Sequence, residues 1–170
     1  VVANDILILN QVEVTSYAEK NNNVEVAFAL DAASPRVEDF SFRTNKLLFA
    51  TNGFAADLTN NRVKPARAQV LITEPIPNLD IEGTFHLDKG YYYFRNLENR
   101  ILIGGGRNLD FEKENTSEFG ETEIVQNELE RLLKEVILPN TEYKIAHRWS
   151  GIMGLGTTKN PIVEQLSEHV

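Results

Sequence analysis

The chain has no cysteine, one methionine and one tryptophan among its 170 residues. The missing thiols exclude disulfides, thiolate metal sites and a cysteine nucleophile, and they are compatible with a cytoplasmic location. Cations are sparse as well. Seventeen Lys and Arg face 25 Asp and Glu, for a net charge of -8, and no basic run is present. That balance argues against nucleic acid or an anionic membrane surface as the main partner. No apolar stretch approaches the ~20 residues of a membrane span, and no signal-peptide pattern is visible. The chain opens on Val-Val without an initiator Met, which suggests a piece of a longer protein.

Several catalytic signatures are missing too. Gly104-Gly105-Gly106 is not followed by the Lys and Ser/Thr of a phosphate loop, and the G-x-G-x-x-G dinucleotide fingerprint does not occur. There is no G-x-S-x-G elbow. His86, His147 and His169 lack metal-ligand spacing. Carboxylates are plentiful, but none pairs inside an apolar context as a glycosidase pair would. The acidic patch of Glu112, Glu114, Glu118 and Glu121 reads as a solvated face.

What is present is an ordinary globular composition, 42% hydrophobic and 25% charged, long enough for one domain with a core. Ile6–Leu9 and Val12–Ser16 read as strands. Asn21-Asn22-Asn23 reads as a turn, and Val24–Leu30 alternates clearly as a strand. Asp31–Asp39 is expected to be a loop. A short strand is expected at Phe40–Arg43. Lys46–Ala50 is apolar without alternation, as in a strand buried on both sides of a parallel sheet.

Further strands are expected at Arg67–Thr73, Gly83–Leu87, Gly90–Asn96, Arg100–Gly104 and Tyr143–Ser150. Gly105–Phe119 and the stretch around Gly151, Gly154 and Gly156 read as loops. Val125, Leu129, Leu132, Leu133 and Val136 fall at helical spacing, and Pro139 ends the run. The sum is an α+β fold, with a mixed, largely antiparallel sheet covered by one long helix.

Gly90-Tyr91-Tyr92-Tyr93-Phe94-Arg95 is the most informative stretch. Side chains alternate along a strand. Tyr91, Tyr93 and Arg95 are therefore expected on one face, and Tyr92 and Phe94 on the other. Two phenols and a guanidinium suit an organic anion or a flat ring.

Five segments in order resemble the FAD-dependent oxidoreductases of the D-amino-acid oxidase and glycine oxidase family. They are Lys46–Phe54, Pro65–Leu71, Gly90–Arg95, Arg100–Gly105 and Arg148–Gly151. The resemblance implies a substrate domain beside an incomplete FAD-binding domain. Residues 1–62 would be the partial FAD-binding segment, 63–160 the substrate or cap domain, and 161–170 a return toward the missing FAD domain. The parent protein would bind FAD and oxidise an amine or amino acid, while this piece alone would be inactive. Val12, Ala50, Thr51, Asn52 and Gly53 would approach the cofactor. Tyr91, Tyr93, Arg67 and Met153 would line the substrate. Met153 stands where several family members place a carboxylate-binding arginine, so a different group would hold any substrate carboxylate. The partners implied are a small amine or amino acid and the missing Rossmann half of the same chain. Two other readings remain open: a free-standing binding module using the Tyr91/Tyr93/Arg95 face, and an assembly domain with no ligand.

Overall fold

The computed structural model describes residues 6–30, 39–59, 63–158 and 160–170. The loop expected over Asp31–Asp39 lies outside them, apart from Asp39. Packing divides the chain into two units, Val1–Ala50 with Asn160–Val170, and Thr51–Lys159.

The first unit holds an antiparallel sheet of β1 (Val12–Lys20), β2 (Asn23–Leu30) and β3 (Asp39–Thr44), in that order. Asn21 and Asn22 join β1 to β2, both at positive φ (51° and 60°). Two such residues match the twist of a tight hairpin, and asparagine tolerates that conformation. Val24 and Val26 are fully buried, and the Phe28 ring packs 5.8 Å from both Phe40 and Phe42. The C-terminal segment belongs to this unit. Leu47 N donates to His169 O at 2.9 Å, and the Lys46 ammonium donates to the Glu168 carbonyl.

Two strand expectations fail here. Ile6–Leu9 has no regular structure and is exposed, and Lys46–Ala50 is equally irregular, with Leu48 86% exposed. A run that is apolar on both faces needs cover on both faces, and no described strand pairs with either run.

The second unit is a five-stranded sheet of β4 (Lys64–Thr73), β5 (Thr84–Leu87), β6 (Tyr92–Leu97), β7 (Arg100–Gly105) and β8 (Ile145–Leu155). Its order is β5-β6-β7-β4-β8, and every described ladder is antiparallel, not mixed. β8 corrects the expected loop after Ser150. It continues through Gly151 and Gly154, because β4 pairs with it from Lys64↔Leu155 to Thr73↔Ile145.

The segment expected as a single loop also has structure. A 3₁₀ turn spans Arg107–Leu109, and α1 (Phe111–Glu114) follows, capped where Lys113 N donates to Asp110 Oδ1 at 3.1 Å.

The long helix is also two pieces. α2 (Glu123–Leu132) runs into a π-helical turn, Leu133–Ile137, closed by Leu138 N donating to Leu133 O at 2.8 Å. A π turn inserts an extra residue and shifts the buried stripe. Val125, Leu129, Leu132 and Leu133 face the core as expected. Val136 does not: it is 52% exposed, and Ile137, at 8%, takes its place. The core they join contains Leu71, Ile76, Tyr92, Phe94, Ile101 and Ile103.

Ile137→Ala should therefore cost about 2–5 kcal/mol, and Val136→Ala less than about 0.5 kcal/mol. Urea unfolding of both variants checks this, and the reverse order would mean that the helix continues as α through Val136.

Candidate functional site

The register gives the large sheet two unlike faces. One is sealed. Tyr92, Phe94, Ile101, Ile103, Leu71 and Thr73 lie on it beneath α2. Arg67 and Gln69 share this face by strand alternation, and both are buried. Arg148 and Ser150 of β8 lie opposite Leu71 and Gln69, so they share it too.

A polar network occupies its middle. Glu114, fully buried, accepts from Arg67 Nε at 3.0 Å and Nη2 at 3.1 Å, from Gln69 Nε2 at 2.9 Å and from Thr122 Oγ1 at 2.9 Å. Gln69 Oε1 accepts from Thr122 N at 2.9 Å and from Gln126 Nε2 at 3.1 Å. Arg148 extends the chain to Gln126 Oε1 at 2.7 Å and to Glu130 Oε1 at 2.5 Å. Burial pushes the Glu114 carboxyl up, but the hydrogen bonds from Arg67, Gln69 and Thr122 outweigh it, and the group titrates below its usual range. The hydrogen bond to Glu114 raises the Arg67 guanidinium in turn. This corrects the solvated-face reading of the acidic patch at Glu114.

The second face has no helix over it among the described residues. Tyr93, Gly104, Val70 and Trp149 are paired in one row across four strands, with His86 beyond Tyr93 on β5. The adjoining pairs of β4 and β8 are Ala68↔Gly151 and Ala66↔Met153. Trp149 and Met153 stand partly exposed, at 38% and 39%. The Tyr93 ring lies over Gly104, where a Cβ would come within 2.6 Å of the phenol oxygen. No described residue hydrogen-bonds that oxygen. Burial raises its pKa, with Arg95 pulling the other way, so it stays a protonated donor at neutral pH.

The residues expected at a site therefore separate. Tyr93 and Met153 share the second face. Arg67 lies on the sealed face, its guanidinium taken up by Glu114. Tyr91 precedes β6 instead of extending it: it caps the 3₁₀ turn Asp88–Gly90, and its ring meets Phe111 edge-on at 6.4 Å. The expected alternation thus holds from Tyr92 onward and not at Tyr91.

Thr51 is the N-cap of a 3₁₀ turn, Asn52–Asp57. Asn52 staples that turn to β8, donating to Ile152 O at 3.3 Å and accepting from Gly154 N at 2.9 Å. A Cβ at Gly53 would meet Ile152 and the Met153 carbonyl at 2.7 Å. The small residues of this turn are thus accounted for by packing on β8. Val12, opposite Leu30 in β1, and the exposed Ala50 belong to the other unit. Trp149 and Gly151 belong to the Arg148–Gly151 segment of the family resemblance, which assigns them no role in the site. Reading β8 as ended at Ser150 hid the alternation of Trp149, Gly151 and Met153.

The architecture is an α+β domain whose large sheet is sealed on one side and presents an aromatic, mainly apolar surface on the other. A model of the family described as FAD dependent oxidoreductase matches residues 1–170, and the chain belongs to that family. The family is FAD-dependent, and its members are oxidoreductases. No curated protein matches. Among solved structures, the L-proline dehydrogenase from P. horikoshii matches with a TM-score of 0.66 at 20% identity, covering 93% of this chain and 41% of that one. The glycine oxidase from Geobacillus kaustophilus matches with a TM-score of 0.69 at 17% identity, covering 93% and 40%. At these identities the likeness is one of fold. The chain spans about two fifths of the length of either structure. No described helix is long and apolar enough to cross a membrane.

Because Glu114 titrates below its ordinary value near 4.5, its contribution is present above the unfolded-state pKa and is lost as pH falls through the folded one. Glu114→Gln leaves Arg67 buried without its anion and should cost about 3–5 kcal/mol at pH 7. The variant should also lose less stability than the parent on acidification below about pH 4.5. Denaturant unfolding at pH 7 and at steps down to pH 3 measures both, and unaltered stability at pH 7 would refute the network's role.

Proposed function

We propose that this chain is the substrate-binding part, with a segment of the cofactor domain, of an FAD-dependent oxidoreductase that oxidises the C–N bond of an amine or amino acid. The observation that carries this is a sheet face with no described helix over it, where the Tyr93 hydroxyl, without a partner among the described residues, stands beside an apolar aromatic floor. Such a face can hold a small organic molecule and exclude water, while one donor fixes its orientation. The family membership supports the redox chemistry, and the names of the two matched structures support an amino-acid or amine substrate.

The face also suits a planar ring system. Flat apolar cover with few charges is what a flavin ring needs, and FAD, when bound, would accept a hydride equivalent from the carbon bearing the amine. The pyrophosphate of FAD needs a different environment. The Gly104-Gly105-Gly106 turn after β7 leads only into the 3₁₀ turn Arg107–Leu109 and the four-residue α1, and the N-terminus of α2 is filled by the contact of Thr122 N with Gln69. We assign the pyrophosphate to the Rossmann half of the parent chain, with Val12, Ala50, Thr51, Asn52 and Gly53 on the cofactor side. The apolar runs Ile6–Leu9 and Lys46–Ala50, which pair with no described strand, are suited to strand pairing with that half.

On this reading Tyr93 donates to the substrate, Met153 forms a wall, and Tyr91 stands at the entrance. Arg67 acts indirectly, by anchoring Glu114. The isolated piece would be inactive.

The full-length parent should purify with a bound flavin whose visible band is bleached anaerobically by an amine or amino acid. Tyr93→Phe in that protein should raise KM about tenfold or more, through loss of one hydrogen bond to a polar or charged group. A native protein of this chain's mass carrying no flavin would instead be the free-standing binding module, and would overturn the proposal.

A further inference from the structure

Gly151 is the one glycine of the sheet's second face for which neither backbone conformation nor packing gives a reason. The other sheet glycines have one. A Cβ at Gly104 would strike the Tyr93 phenol at 2.6 Å, at Gly105 the Tyr91 carbonyl at 2.1 Å, and at Gly154 the Asn52 side chain at 2.7 Å. Gly105 also has φ +121°. Gly151 has no positive φ, and an added Cβ would meet nothing within 4 Å among the described residues. It lies in the interior of β8, paired with Ala68, where glycine weakens a strand and often marks close approach by a ligand or another backbone. The space above it is bordered along β8 by Trp149 and Met153, and the Tyr93 hydroxyl stands over the same face with no partner among the described residues.

Resting on the function proposed above, we propose that Gly151 sets substrate size, and that the space it leaves receives the apolar side chain of the amine or amino acid. The walls are aromatic or thioether groups, so they complement hydrocarbon and not charge. No carboxylate or guanidinium borders Gly151 along its own strand. Its neighbours on this face of β8 are Trp149 and Met153, and across the ladder it meets Ala68. An apolar pocket discriminates weakly per methylene, by roughly tenfold or somewhat more. Adding one methyl at Gly151 should therefore matter most for the bulkiest substrate.

The test uses the full-length flavoprotein, wild type and Gly151→Ala. The probes are glycine, both enantiomers of proline, leucine and phenylalanine, and phenethylamine. Three readouts are taken: perturbation or bleaching of the flavin spectrum, KM against kcat, and thermal melting. In the variant, KM or apparent Kd for the larger probes should rise about tenfold, with little change for glycine and with Tm unchanged or higher, since Gly→Ala at an ordinary φ restricts the unfolded chain.

Equal affinity of both proteins for every responding probe would overturn the inference and leave the proposed function standing. So would a Tm drop accompanied by flavin loss, which would mean that polypeptide packs over Gly151. A flavin that no probe perturbs would overturn the substrate class. A purified protein without flavin would overturn the proposed function and this inference together.

Discussion

The buried carboxylate of Glu114 is the interaction on which the sealed half of the sheet depends. An unpaired charge cannot stay in a protein interior, because desolvation costs several kcal/mol. Glu114 is held by four hydrogen bonds from Arg67, Gln69 and Thr122. Those three residues lie on β4 and at the start of α2, while Glu114 ends α1. A single group thereby fixes the segment between β7 and α2 against β4. Gln69 and Gln126 pass the connection to Arg148 on β8. The network thus crosses the two strands with the most extensive pairing in the unit, β4 and β8, and ties both to the helix.

This arrangement separates two kinds of chemistry by sheet parity. Odd positions of β4, from Arg67 to Thr73, take the polar network and the helix core. Even positions, Ala66, Ala68 and Val70, are small or apolar and face the other way. A one-residue slip of β4 would exchange the two sets, leaving Arg67 and Gln69 among Trp149 and Tyr93. Pairing Glu114 with Arg67 therefore stabilises the register as well as the loop, and register decides which surface a ligand meets.

Much of the fold was legible in the sequence because strand alternation and turn chemistry are local. Val24–Leu30, the Tyr92–Phe94 burial and the helix from Val125 to Leu133 follow from periodicity. Three things were not legible. The π turn that exchanges Val136 for Ile137 depends on tertiary packing at the end of the helix. The extent of β8 depends on its partner, since β4 pairs across Gly151 and Gly154, where composition signals a loop. Glu114 sits among Glu112, Glu118 and Glu121, and a charge-dense segment gives no local sign that one member turns inward. The apolar runs Ile6–Leu9 and Lys46–Ala50 do read as strands, but a strand needs a neighbour to pair with, and neither run has one among the described residues.

The fate of Arg67 alters the electrostatics of the candidate site. As a substrate-facing cation it would attract a carboxylate, but it lies on the opposite face, neutralised by Glu114. Met153 brings no charge in place of the arginine that the family resemblance leads one to expect. The remaining cation tied to Tyr93 is Arg95, two residues along β6 on the same face and close enough to lower the phenol's pKa in part. A carboxylate on this face would therefore sit at its β6 side, between a phenol donor and an exposed guanidinium. The hydrocarbon part of the same molecule would extend from the Tyr93 ring, which covers Gly104, toward Trp149. Exposure weakens Arg95 through solvent screening, so binding on such a face would depend more on apolar contact than on charge. That order of forces is the reverse of a site built around a buried arginine clamp, and it follows from where one alternating strand places Arg67.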